Sequence, residues 1–159
     1  MTAHETRWLN AEERQTWLSL TAMVINLSNA LDTQLQRDAG ISHFEYQVLA
    51  TLSEATERTM RMSDLAIITN GSLSRLSHVV KRLEKQGWVR RTPDPDNGRY
   101  ILAILTETGW EKIAVTAPGH VEEVRRLVFD PLTQAQQRTL RAIGHRVNQA
   151  SDPTNTRLE

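Results

Sequence analysis

Residues 63–99 read SDLAIITNGSLSRLSHVVKRLEKQGWVRRTPDPDNGR, and the punctuation of this stretch decides the fold. Ser63 stands where it can cap a short helix whose Leu65, Ala66 and Ile68 face inward. Asn70-Gly71-Ser72 marks a tight turn, because Asn and Gly tolerate positive φ and Ser72 can cap the next helix. Leu76, Val79, Val80 and Leu83 then recur at helical spacing on one side, and Gly87 supplies the stop. Beyond Gly87 the period changes. Residues 88–92 and 100–105 are rich in β-branched and aromatic side chains, and the Pro-Asp-Pro-Asp-Asn-Gly run at 93–98 between them is a strong turn signal. Helix, turn, helix and basic-tipped hairpin make the layout of a winged helix-turn-helix, a device for setting one helix in a DNA groove.

Working outward, the N-terminal flank opens with Asn10 and Glu13 in a capping-box pattern. Trp17, Leu20, Val24, Leu27, Leu31 and Leu35 come next in steps of three and four, one stripe on a long helix that Gly40 ends. Ser42 and Glu45 form a second capping box, with Ile41 and Tyr46 at the positions of a hydrophobic staple, ahead of a helix through Val48, Leu49 and Leu52. Residues 54–61 are polar and read as a loop. On the other flank Thr106 caps a helix with Trp110, Ile113, Val121, Val124 and Leu127, which Pro118 and Gly119 are expected to kink or break. Thr133 and Gln136 open a last helix bearing Leu140, Ile143 and Val147.

The expected fold is mainly α with a small β-hairpin wing, in the order α-α-α-α-β-β-α-α. The winged helix-turn-helix spans residues 42–106, helices at 8–39 and 107–149 serve as dimerisation arms, and residues 150–159 read as a disordered tail. The two ends would leave a large apolar surface on a single chain, and a symmetric dimer covers it most simply.

Composition bounds the function. The chain has 159 residues and no cysteine, so a disulfide scaffold, a thiolate metal site and a thiol redox sensor are excluded. No apolar run has the length of a membrane span, and the polar start lacks signal-peptide features; a cytoplasmic protein without membrane association is expected. Formal net charge is zero, but its distribution is uneven. Residues 1–60 carry four basic and eight acidic side chains, whereas residues 75–99 carry seven basic and three acidic ones. Phosphate binding depends on such a local excess, not on the average.

On the second helix of the motif Ser74, Arg75, Ser77, His78, Lys81 and Arg82 occupy the exposed positions. Ser hydroxyls make short contacts with bases or phosphates, and the Arg75 fork matches guanine O6 and N7. His78 can donate to a base or a phosphate, while Lys81 and Arg82 lie later and suit backbone phosphates. Arg99 comes after the Asn-Gly turn, where a hairpin tip can enter the minor groove. Arg90 and Arg91 read equally well as phosphate contacts or as edge-strand charge that blocks sheet aggregation.

At this point the chain resembles the MarR family of transcriptional regulators. The residues that carry the likeness are Leu65-Ala66, Leu83 to Gly87, Val89-Arg90-Arg91, Asp94-Pro95, Gly98-Arg99 and Leu105-Thr106-Glu107-Thr108-Gly109, and it extends over the whole chain. The resemblance implies a homodimer that straddles a pseudopalindrome on double-stranded DNA, acting as a repressor released by a small phenolic or lipophilic effector. It places Ser72, Ser74, Arg75, Ser77, His78 and Arg82 where the recognition helix meets DNA, and Arg99 on the wing arginine. Two departures stand out. Asn97 occupies the place of an Asp that orients that arginine, so Asp94 or Asp96 is expected to take over the pairing or the wing to be looser. Gly71 replaces an apolar turn residue, which bears on the entry angle of the helix.

The family's ligand cleft lies between the arms and the winged domain, and Met23, His43, Phe44 and Trp110 are candidates to line it, with core or interface packing as the competing reading. No cofactor or metal is expected, since no H-E-x-x-H pattern or paired His at helical spacing accompanies His43. Enzyme chemistry is not expected either: Arg75 stands where a nucleophile elbow needs Gly, and no phosphate-cradling glycine loop is present. The alternative function is a winged-helix protein-interaction module without sequence-specific DNA binding.

Overall fold

The computed structural model describes residues 6–151. Its elements run α1 (Ala11–Ala39), α2 (His43–Glu54), a 3-10 turn (Thr56–Arg58), β1 (Thr59–Arg61), α3 (Met62–Ile68), α4 (Leu73–Lys85), β2 (Val89–Pro93), β3 (Ile101–Leu105), α5 (Glu107–Val124), a π-helical turn (Arg125–Phe129) and α6 (Gln134–Ser151). The mainly helical winged architecture is as expected from the sequence. The capping signals are realised atom for atom: Asn10 with Glu13 and Ser42 with Glu45 form reciprocal boxes, and Thr133 pairs with Gln136. Gly40 and Gly87 take left-handed backbone at φ 67° and 75°, which lets α1 and α4 stop abruptly.

Three local expectations fail for identifiable reasons. Residues 54–61 are not a loop. Glu57 and Arg58 both take left-handed backbone, at φ 53° and 54°, and throw the chain into β1. This strand pairs antiparallel with β3, so the sheet among the described residues has three strands in the order β1-β3-β2. The turn is held by Arg58, which bonds Glu107 at 2.9 Å and lies over the Trp110 ring.

Second, Ser63 is not the cap of α3. Because β1 runs straight into the helix, Arg61 takes the cap position with no side-chain bond and the helix starts at Met62. The inward face becomes Met62, Leu65, Ala66 and Thr69, while Ile68 is exposed. Third, Pro118 neither breaks nor ends α5, which runs unbroken to Val124. Pro118 and Ala114 are both exposed, so the Ala114 carbonyl that loses its intrahelical donor can be hydrated. The irregularity falls later, in the π-helical turn.

One core joins all the elements near the sheet. Leu35 from α1, Ile41, Val48, Leu49 and Leu52 around α2, Leu65 from α3, and Leu76, Val80 and Leu83 from α4 are almost wholly buried, with Ala103, Leu105 and Ile113 beside them. The α1 stripe enters this core only at its end, through Leu35, with Leu31 buried one turn earlier. Upstream, Trp17, Val24 and Ile25 each remain more than half exposed in the single chain, and Trp8 and Leu9 are exposed as well. Helix α6 buries none of its residues, and an apolar groove of about 380 Å³ runs between it and the first half of α1. Of the expected tail, Ala150 and Ser151 continue α6, and residues 152–159 lie outside the described residues.

Candidate nucleic-acid interface

Helix α4 owes its start to Ser72, whose hydroxyl oxygen accepts the Arg75 N–H at 3.1 Å. Its buried side is Leu76, Val79, Val80 and Leu83, as the spacing predicts. That burial turns Ser74, Arg75, His78, Lys81 and Arg82 to solvent, with Ser77 half-buried. The cations are not equivalent. The Arg75 guanidinium carbon stands over the Phe44 ring, 4.1 Å from its centre, whereas the Arg82 guanidinium is held by the Glu45 carboxylate at 3.0 Å. Among the described residues the side chains of Ser74, His78, Lys81 and Arg99 form no hydrogen bond or ion pair, so their donors remain available.

Arg90 and Arg91 separate by strand alternation. Arg90 is exposed. Arg91 is clasped by Glu84 of α4 through its backbone N–H, its Nε and its Nη2, at 3.0, 3.0 and 2.7 Å, and reaches Ser77 Oγ at 3.4 Å. Arg91 therefore ties the wing stem to α4, and Arg91 holds the Glu84 carboxyl below its ordinary pKa.

At the wing tip Asp94 does not pair with Arg99. Its carboxylate accepts the Asp96 N–H at 3.0 Å and the Arg61 guanidinium at 3.0 Å, and Arg61 also stacks on Tyr100. The Asp96 amide, ahead of Arg61, holds the Asp94 carboxyl below its usual range. Asp96 has no bond to Arg99 either, and the Asn97 side-chain oxygen accepts the Arg99 backbone N–H at 3.3 Å. The substitution at Asn97 thus leaves the turn closed from within, and the Arg99 guanidinium projects without a carboxylate partner among the described residues. Between wing and α4 lies a groove of about 260 Å³ where Ser63, Ser77, Arg91 and Arg99 converge.

The base of the wing explains the Leu-Thr-x-x-Gly run. Thr106 donates its hydroxyl to the Gly87 carbonyl at 2.6 Å, gives its backbone N–H to the Trp88 carbonyl at 3.0 Å, and caps α5 by accepting from Gly109 N–H. A Cβ at position 109 would run into the Trp88 carbonyl, which is why Gly stands there. Gly71 is likewise a matter of space, not of φ: a Cβ there would sit 2.6 Å from Phe44 Cζ.

The four residues offered for a ligand cleft do not line one cavity. Met23 lies in the α1–α6 groove, Phe44 is buried under Gly71 and Arg75, and Trp110 packs beneath Arg58. His43 alone lines a cleft of about 320 Å³ between α2, the end of α3 and α5, together with Tyr46, Glu54, Thr69 and His120. The His120 ring is tilted against its neighbours, its centre 4.2 Å from that of Tyr46 and 5.7 Å from that of His43, and its Nδ1 meets Gln34 Oε1 of α1 at 3.1 Å. Burial pushes both imidazoles below their ordinary pKa, with His43 acting in the same direction on His120.

Reading the sequence alone missed Arg61, Glu45, Glu84 and His120, the residues that hold or neighbour the predicted ones. Each acts across elements, and no local spacing announces it. The nearest to a signal is Glu84 and Arg91, an acid and a base that a short strand return can bring together.

A model described as MarR family matches residues 41–101. Among solved structures the chain is similar to Sco3205, a MarR family transcriptional regulator from Streptomyces coelicolor in complex with DNA. The two are 46% identical with a TM-score of 0.91, covering 98% of each chain. It is also similar to AbsC, a MarR family transcriptional regulator from the same organism, at 36% identity and TM-score 0.82, over 93% of this chain and 95% of that one. Among curated proteins, the uncharacterized HTH-type transcriptional regulator YdcH of Bacillus subtilis is 30% identical over 91 residues. The match spans 56% of this chain and 61% of that protein.

Proposed function

We propose, since the chain belongs to the MarR family of DNA-binding transcriptional regulators, that it reads a pseudopalindromic operator as a homodimer. The observation that carries this reading is the face formed by Ser74, His78 and Lys81 on α4 and Arg99 on the wing, whose side chains form no hydrogen bond or ion pair among the described residues, with Arg75 set over Phe44 beside them. A helix start with short hydroxyls and an Arg fork suits base edges, and the flanking cations suit phosphates. Residues 42–106 form the reading unit, and Ser72, Ser77 and Arg82 complete its contact set. Helices at 8–39 and 107–149 supply the dimer, whose interface is the apolar surface of α1 and α6. The DNA-bound relative supports the choice of duplex DNA over a protein partner.

The regulator acts as a repressor that a small phenolic or lipophilic effector releases, and the cleft beside His43 and His120 is where such a molecule fits, between the arms and the reading unit. No helix among the described residues is long and apolar enough to cross a membrane. Selection from random duplexes tests the reading. Enrichment of two half-sites about one helical turn (~10 bp) apart, with affinity falling steeply as salt rises, is the expected result. Enrichment of nothing, or salt-insensitive binding, would overturn it.

A further inference from the structure

We infer that Phe44 is a positioning residue for base readout: its ring, admitted against the turn by Gly71, fixes where the Arg75 guanidinium stands. The inference rests on the reading of α4 as the DNA-reading helix. Phe44 is 7% exposed and belongs to the first turn of α2, so its ring is a fixed surface. That turn is anchored to α1, because the neighbouring His43 N–H donates to Asp32 at 2.8 Å. Arg75 stands over the ring at 4.1 Å, and its own backbone is pinned by the Ser72 cap. Among the described residues it has no carboxylate partner.

The type of restraint matters. A carboxylate would consume the N–H donors that read a base, as Glu45 does on Arg82. A ring face restrains the guanidinium plane and leaves its edge donors open for the bidentate contact with guanine. Fixing the rotamer beforehand also lowers the ordering cost of binding. Gly71 is part of the device, since any Cβ there would displace Phe44 Cζ and Cε2, which would lie 2.6 and 3.0 Å away.

The test compares the full-length wild type with Phe44→Leu, Gly71→Ala and Arg75→Ala, each assayed where thermal denaturation shows it folded. Random-duplex selection gives base preference, and titration of the enriched site and of an unrelated duplex gives affinity. Phe44→Leu and Gly71→Ala are expected to weaken the enriched site roughly three- to tenfold and to relax preference at the base pair that Arg75→Ala relaxes. Binding to the unrelated duplex stays within about twofold, and Phe44→Leu adds less than about twofold in the Arg75→Ala background. Leu52→Val, a core truncation away from the interface, leaves base preference unchanged. Wild-type preference in Phe44→Leu, or losses that add in full to those of Arg75→Ala, would overturn the inference while leaving the DNA-reading function standing. A wild type that enriches no sequence overturns both.

Discussion

The Asp94 carboxylate, 7% exposed, is bonded to the Arg61 guanidinium of β1, 33 residues earlier in the chain, and not to the Arg99 five residues later. The wing is therefore anchored sideways to the sheet edge strand, and Arg99 is left to the solvent. Arg61→Ala removes both this bond and the stack on Tyr100. Faster amide exchange at residues 96–100 and a roughly fivefold loss of operator affinity are expected, with little change in melting temperature. Unchanged exchange at the tip would count against the anchor. Because the carboxyl pKa is lowered in the fold, this contribution is present above the ordinary value of 3.8 and is lost only as pH falls through the lower native value.

Arg99 and Arg75 should fail differently. Arg99→Ala is expected to weaken binding to all duplexes alike and to reduce the salt slope by about one. Arg75→Ala is expected to lose base preference as well. Titrations at four salt concentrations on an operator and a scrambled duplex separate the two; equal behaviour would refute the division of labour.

Ser72 has a structural duty that its placement on the reading helix conceals. Removing the cap in Ser72→Ala is expected to cost about 1 kcal/mol in urea unfolding, and Ser72→Gly only a few tenths. An undiminished midpoint in Ser72→Ala would show that the Arg75 N–H finds another acceptor.

Acidification should destabilise the protein through His43 and His120. Both are held neutral by burial, so the unfolded chain takes up protons first as pH falls through 6.5. Stability is expected to decline from about pH 7 downward and to level once the lowered native values are passed. Melting temperatures across this window should fall less in His120→Gln than in the wild type; equal slopes would remove His120 from the account.

Val24 is more than half exposed on the surface assigned to the dimer. Val24→Glu adds a charge there without touching the core of a single chain. Sedimentation should give twice the chain mass for the wild type and one chain mass for the variant, with operator affinity falling in parallel. A wild type already at one chain mass would exclude the dimer.

Legibility in the sequence depends on how far each signal reaches. Asn10 with Glu13, and Ser42 with Glu45, interact over one helical turn, so four residues suffice to see them. The buried set of α4 is equally local. Strand β1 has three residues and pairs with β3 some 40 positions on (Met60 opposite Ala103), so it leaves no period to detect. Phe44 was legible as apolar near a helix start, but whether it lines a cleft or supports a cation depends on Gly71 and Arg75 folding over it. Pro118 misled because a helix breaker is judged by its backbone, while its cost here depends on which side meets water.

Thr106 joins the wing base to the first turn of an 18-residue helix, so α5 is a rigid arm about 27 Å long. A swing of about 5° about its far end carries Gly87 and Trp88 through roughly 2 Å, more than the tolerance of a hydrogen bond to a base edge. In the proposed dimer, small angular changes between the arms thus become, at the tip of this lever, the difference between a wing in register with its groove and one out of step.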